Sequence, residues 1–177
     1  MQRSFSLIAG LGVLIGYVSL ASAEPASALK GHNSNAPVDV SADRMEVQDR
    51  ADRAVMAGNV HVKQDELTLD TARLTIAYTN GAGGLQMQRL DAAGGVVVKS
   101  PSETASGNFG VYDLDRKLIT LIGGVKLVRQ QSEISGNRLV IDLTSGRAVV
   151  DGGAPEVNGS GGRVTGHFTV PQRGTKG

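Results

Sequence analysis

The chain has 177 residues, no cysteine and no tryptophan, so disulfides, thiolate metal sites and a cysteine nucleophile are all excluded. Hydrophobic residues make up 40%, enough for one folded domain, while aromatics are only 3%, so the apolar face must be aliphatic. Of 18 basic residues only Arg3 falls in the first 23 positions, which leaves 17 against 17 acidic ones and a neutral remainder unsuited to nucleic acid.

Met1-Gln2-Arg3 is a short basic start, followed by an apolar run from Leu7 to Leu20 and a small-x-small signal, Ala21-Ser22-Ala23. The pattern predicts a secretory signal peptide over 1–23, cleaved before Glu24, because the run is shorter than the ~20 residues that span a membrane. An uncleaved anchor is the alternative. Residues 24–36 read as a flexible lead-in ending near Pro37. Strands are predicted from Val38 to about Asp151, giving one domain over 37–151. Gly152-Gly153-Ala154-Pro155 breaks the pattern, and 152–177 reads as a glycine-rich, partly disordered tail with one weak strand-like run at 163–170.

Within 37–151 the sequence repeats itself. A shift of 29 places Gly95-Val96 on Gly124-Val125, and Ser106-Gly107-Asn108 on Ser135-Gly136-Asn137. A shift of 65 places Gly58 on Gly123, and Arg73-Leu74-Thr75-Ile76 on Arg138-Leu139-Val140-Ile141. A shift of 94 places Ser41-Ala42-Asp43-Arg44-Met45 on Ser135-Gly136-Asn137-Arg138-Leu139. Each unit alternates with period 2, as a half-buried strand does. A unit of about 30 residues is expected to hold roughly three strands and cannot bury its apolar face alone. The pairs Gly83-Gly84, Gly94-Gly95 and Gly123-Gly124 read as hairpin punctuation, and 79–84 as one longer loop.

Catalytic signatures are missing: no Gly-x-Ser-x-Gly elbow, no phosphate loop, no His-Glu-x-x-His. His32, His61 and His167 lack metal-ligand spacing. His61 is expected to be solvated and Asp65-Glu66 to form a turn. No metal and no cofactor are expected, and the protein reads as a non-enzyme. What remains is the aliphatic face, which is either an ordinary closed core or an apolar trough; periodicity does not separate the two. The basic residues Arg44, Lys63, Arg73, Lys99, Lys126, Arg138 and Arg147 belong to the polar face. Tyr112 and Leu114 should point inward, although Phe109 and Val111 form an equally apolar opposite face.

The signal peptide, the Ser-Ala-Asp-Arg-Met-Glu-Val opening at Ser41, Ala57-Gly58-Asn59-Val60-His61-Val62 and the Gly-x-Val repeats resemble the LptA or OstA-like family of periplasmic lipopolysaccharide-transport proteins. The resemblance implies an all-β fold, an open, twisted antiparallel β-jelly roll built from repeated strand-turn-strand units. It implies a periplasmic carrier whose trough holds the acyl chains of lipid A. The lining residues would be Val60, Val62, Leu67, Leu69, Leu74, Ile76, Val96, Val98, Leu127, Ile134, Leu139 and Ile141. It also implies partners: an LptC-like inner-membrane protein, an LptD-like outer-membrane translocon and further copies of the chain, stacked head to tail. Edge pairing would use Val38, Val40, Met45 and Val47 at one end and Leu143 and Val149 at the other. Two rival readings stay open, a membrane-anchored LptC-like component of the same machine and a repetitive β-helix that binds polysaccharide.

Overall fold

A computed structural model describes residues 32–81, 83–153 and 162–169, so the segment expected to be a signal peptide and most of the tail lie outside the described residues. The period-2 segments form ten strands: β1 (Val38–Ser41), β2 (Arg44–Gln48), β3 (Arg53–Gln64), β4 (Leu67–Gly81), β5 (Gly84–Lys99), β6 (Glu103–Asp113), β7 (Leu118–Arg129), β8 (Ser132–Asp142), β9 (Arg147–Asp151) and β10 (Thr165–His167). Neighbours in sequence pair antiparallel from β3 through β8. The short strands β1 and β2 share the free side of β3, and β9 and β10 share the free side of β8. Among the described residues both margins of the sheet are therefore unpaired, and the roll is open.

The long strands bend in the middle. Pairing slips between Ala57 and Val60, Thr71 and Arg73, Ala93 and Val96, Ser106 and Phe109, and Ile122 and Val125. These bulges line up across the sheet as a crease, because a bulge bends a strand and increases its twist. The repeated motifs meet there. A side chain added at Gly94 or Gly123 would strike Ala72 or Asn108 on the adjacent strand, one at Gly58 would strike Asp43 in the link between β1 and β2, and all three glycines have φ near +80°. Each crease glycine is thus fitted to a small or Asn/Asp residue beside it.

Two expectations change. Gly94-Gly95 and Gly123-Gly124 sit in mid-strand and form bulges; only Gly83-Gly84 belongs to a hairpin end. The repeat is correspondingly two long bent strands, not three short ones, since 29 residues carry Gly95 on β5 to Gly124 on β7. Thr79, Asn80, Gly81 and Gly84 also belong to strands rather than to a longer loop. β4 and β5 stay paired past Ala77 and Arg89 to Gly81 and Gly84, and this longer ribbon absorbs the unequal spacing of the units.

The crease folds the sheet over itself. Tyr112 lines up through Leu90 and Ile76 with Ala54 on β3. In a flat sheet the ten residues from Ala54 to Gln64 would separate Tyr112 from Gln64 by ~33 Å along the strand. Instead the Tyr112 hydroxyl donates to Gln64 Oε1 at 2.9 Å. The core lies between the two half-sheets. Half-sheet I contributes Val60, Val62, Leu69, Val96, Val98 and Val125; half-sheet II contributes Met56, Leu74, Ile76, Leu90, Leu121, Leu139 and Ile141. Asp65 and Glu66 make the β3–β4 turn, with Asp65 at φ 53°.

Candidate functional site

The interior of the roll collects the sequence's aliphatic stripe. Val60, Val62, Leu67, Leu69, Leu74, Ile76, Val96, Val98, Leu127, Leu139 and Ile141 are all buried. Ile134 is only half-buried. Its outer neighbour is Gly166 of the three-residue β10, which has no side chain to cover it. Parity also carries Met56, Leu90, Ile119, Leu121 and Val125 inward. They obey the same alternation and could have been named with the others. Tyr112 is buried and Leu114 packs against the core, whereas Phe109 stands 56% exposed on the outer face.

A narrow apolar cleft with about 20 Å³ of free space, partly open to solvent, lies between the half-sheets. Val62, Leu67, Leu69 and Val98 line it from one side and Leu90, Ile119 and Leu121 from the other. The core beside it is closely packed, with Leu74, Leu121 and Leu139 fully buried. A closely packed core and a small apolar cleft thus share one interior.

Polar groups gather at one mouth of the cleft. Gln64 is 3% exposed and fully engaged. Its Oε1 accepts from Tyr112 and lies 3.1 Å from His32 Nε2, while its Nε2 donates to the carbonyls of Ser34 and Ala36. The described part of the lead-in, 32–36, is therefore held against the mouth. Burial pushes the Tyr112 hydroxyl up to about 12, because its anion would sit away from water. Further along the same lip, Glu103 is buried and paired with Arg129. Alternation read only for apolar residues misses Gln64 and Glu103, although both fall on inward positions.

The margins differ from one another. Met45 and Val47 pair with Met56 and Ala54, which places them on the inner face, yet they are 54% and 57% exposed because β2 has no outer neighbour among the described residues. Val38 and Val40 pack partly against the core. Leu143 is not an edge residue: it is buried, and its N–H donates to the Lys117 carbonyl. Val149 pairs with Val140 on the outer face, and Val150 rather than Val149 packs inward.

His61 Nδ1 lies 2.7 Å from Asp70 Oδ1 on the outer face, where Lys99 approaches the same carboxylate. Among the described residues no three His, Asp or Glu side chains gather around a common point that could hold a metal. No helix among them is long and apolar enough to cross a membrane.

Fold and interior define a class: an antiparallel roll open at both margins, lined by a continuous aliphatic face. The sequence places it more closely. The family described as LptA/(LptD N-terminal domain) LPS transport protein matches residues 39–147, and the chain belongs to that lipopolysaccharide-transport family. An uncharacterised protein of Rhizobium meliloti (strain 1021) is 29% identical over 153 residues, covering 81% of this chain and 82% of the relative. The crystal structure of LptH from Pseudomonas aeruginosa superposes with a TM-score of 0.66 at 19% identity, over 78% of this chain and 99% of that one. LptH is described as the LptA homologous periplasmic component of the conserved lipopolysaccharide transport device, and the two chains share the fold.

Proposed function

We propose that this protein is a periplasmic carrier that receives lipopolysaccharide acyl chains between its half-sheets and passes them along the roll toward the outer membrane. The observation that carries the reading is the unbroken aliphatic interior, running from exposed Met45 and Val47 at one margin to Val150 at the other. An acyl chain of about twelve carbons costs about 10 kcal/mol to hold in water, at ~0.8 kcal/mol per CH₂. Aliphatic walls supply shielding without directional bonds, so a chain can slide. The close packing beside the cleft means that entry spreads the half-sheets. Copies stack head to tail by strand addition at the open margins, between an LptC-like inner-membrane protein and an LptD-like outer-membrane translocon. Secretion by a cleaved signal peptide puts the chain in the periplasm.

Mass spectrometry of the protein, purified gently from a Gram-negative periplasm, tests this directly. Lipopolysaccharide bound to a chain that begins at Glu24 is the expected result. A cleaved chain that takes no lipid, even after incubation with lipopolysaccharide, overturns the reading, and an intact leader favours the anchored form. A second test uses the absence of tryptophan. Leu69→Trp places the chain's one indole in the cleft and fills it, at ~1–3 kcal/mol of overpacking. Lipid binding should fall while thermal unfolding stays cooperative; undiminished binding would place the acyl site elsewhere.

A further inference from the structure

Strand register sorts the charges of the roll by face. Arg44, Lys63, Arg73, Lys99, Lys126, Arg138 and Arg147 all occupy outward positions. Among the described strand residues, Arg129 is the one basic residue at an inward position, two beyond the buried Leu127. Its cross-strand partner Glu103 is likewise the one inward acid, two before the buried Ala105. The pair stands at the end of its strands, on the lip of half-sheet I. Glu103, together with Leu67, Val98 and Leu127 and with Ile141 from the other half, lines the apolar space just inside.

The pair is lopsided. The Glu103 side chain is 4% exposed and that of Arg129 is 32% exposed. Arg129 donates through Nε and one terminal nitrogen to Glu103 Oε1 alone. A guanidinium has five N–H donors in a fork that matches phosphate, so donors remain on its solvent side. Stability alone gives no reason for an ion pair in this wall, since aliphatic replacements of similar volume are often neutral or stabilising.

We propose that Arg129, held at the lip by Glu103, receives the phosphate-bearing headgroup of the lipid whose chains occupy the interior. The inference rests on the carrier reading and adds a headgroup site to it. Glu103 fixes the guanidinium in place and desolvates one side of it, so that the free donors face the entry point.

The test titrates the mature chain with dodecyl phosphate, dodecyl maltoside and inorganic phosphate, with each amphiphile kept below its micelle concentration. The native chain should bind dodecyl phosphate about tenfold more tightly than dodecyl maltoside, a factor equivalent to ~1.4 kcal/mol, and inorganic phosphate far more weakly than either. Arg129→Gln should erase the preference and Arg129→Lys should keep part of it, because lysine supplies charge without the fork. A purely structural pair would lower the melting temperature and leave headgroup preference alone, so a preserved preference in Arg129→Gln overturns the site while the carrier reading stands. Inorganic phosphate binding as tightly as dodecyl phosphate overturns the lipid assignment in favour of a free anion. Failure of both amphiphiles to bind the native chain overturns the carrier reading itself. Glu103→Gln keeps an acceptor for Arg129 and removes the competing charge. It should tighten dodecyl phosphate binding severalfold; unchanged binding counts against the proposal even if the arginine variants do not fold.

Discussion

Tyr112 shows what one buried polar group does to this interior. Its hydroxyl, pushed up to about 12 by burial, keeps its proton where an unfolded chain's tyrosine, near 10, has already lost it. The folded state thus binds more protons between those values. Its contribution to stability is complete below pH ~10 and disappears as pH rises toward 12. Tyr112→Phe should flatten the fall of melting temperature over this alkaline range. At pH 7 it should cost about 1 kcal/mol for the lost bond to Gln64. Thermal melts from pH 7 to 12 check both, and an alkaline slope identical to the native chain's would mean that Tyr112 is not the group responsible. Much at this scale was legible in the sequence. Alternation alone brought Leu74, Ile76, Leu139 and Ile141 inside. It applied equally to Val60, Val62 and Gln64, but a polar side chain on an apolar stripe makes sense only once the sheet has folded and given it partners such as Tyr112 and Ser34.

At the scale of the strand, the crease decides the shape. Its glycines were visible as a repeat, yet their place was not, because a positive φ serves a hairpin turn and a mid-strand bulge equally well. What distinguishes them is the partner: Gly123 lies against Asn108 and Gly58 against Asp43, contacts between residues 15 apart that no local pattern announces. The repeated Ser-Gly-Asn and Ser-Ala-Asp motifs are the other half of that fit. Neighbouring glycines should therefore differ. Gly94 and Gly95 share φ values of 87° and 84°, but an added Cβ at Gly94 would come within 2.9 Å of Ala72 Cβ, whereas nothing lies within 4 Å at Gly95. Gly95→Ala should lose roughly 1–2 kcal/mol for the left-handed backbone. Gly94→Ala should lose that and more, as the β4–β5 crease is forced apart. Urea unfolding midpoints compare the two, and equal losses would show that backbone conformation, rather than close approach, governs the bend.

The whole molecule is defined by what it leaves unfinished. Period 2 and the repeat were enough to read stacked β units; the antiparallel roll followed from the family resemblance, and the family's match over 39–147 agrees with it. Sequence alone could not grade the two margins, because exposure at an edge depends on which short strand ends up outermost. β2 presents an unpaired backbone edge with Met45 and Val47 on its inner side, whereas at the far margin Leu143 is sealed in and Val149 faces outward. An unpaired edge invites another strand, and inward apolar residues beside it would extend the aliphatic interior into the next copy. Two lysines there remove that continuity while leaving the β2 backbone able to pair with β3. Met45→Lys with Val47→Lys should abolish concentration-dependent stacking, whereas Val149→Lys, on the outer face, should weaken it little. Sedimentation velocity over a range of concentrations reads both. Native association that survives the double lysine would mean that the backbone edge alone drives stacking and that the interiors of successive copies need not join. A native chain that stays monomeric throughout would remove head-to-tail stacking of this chain from the carrier reading.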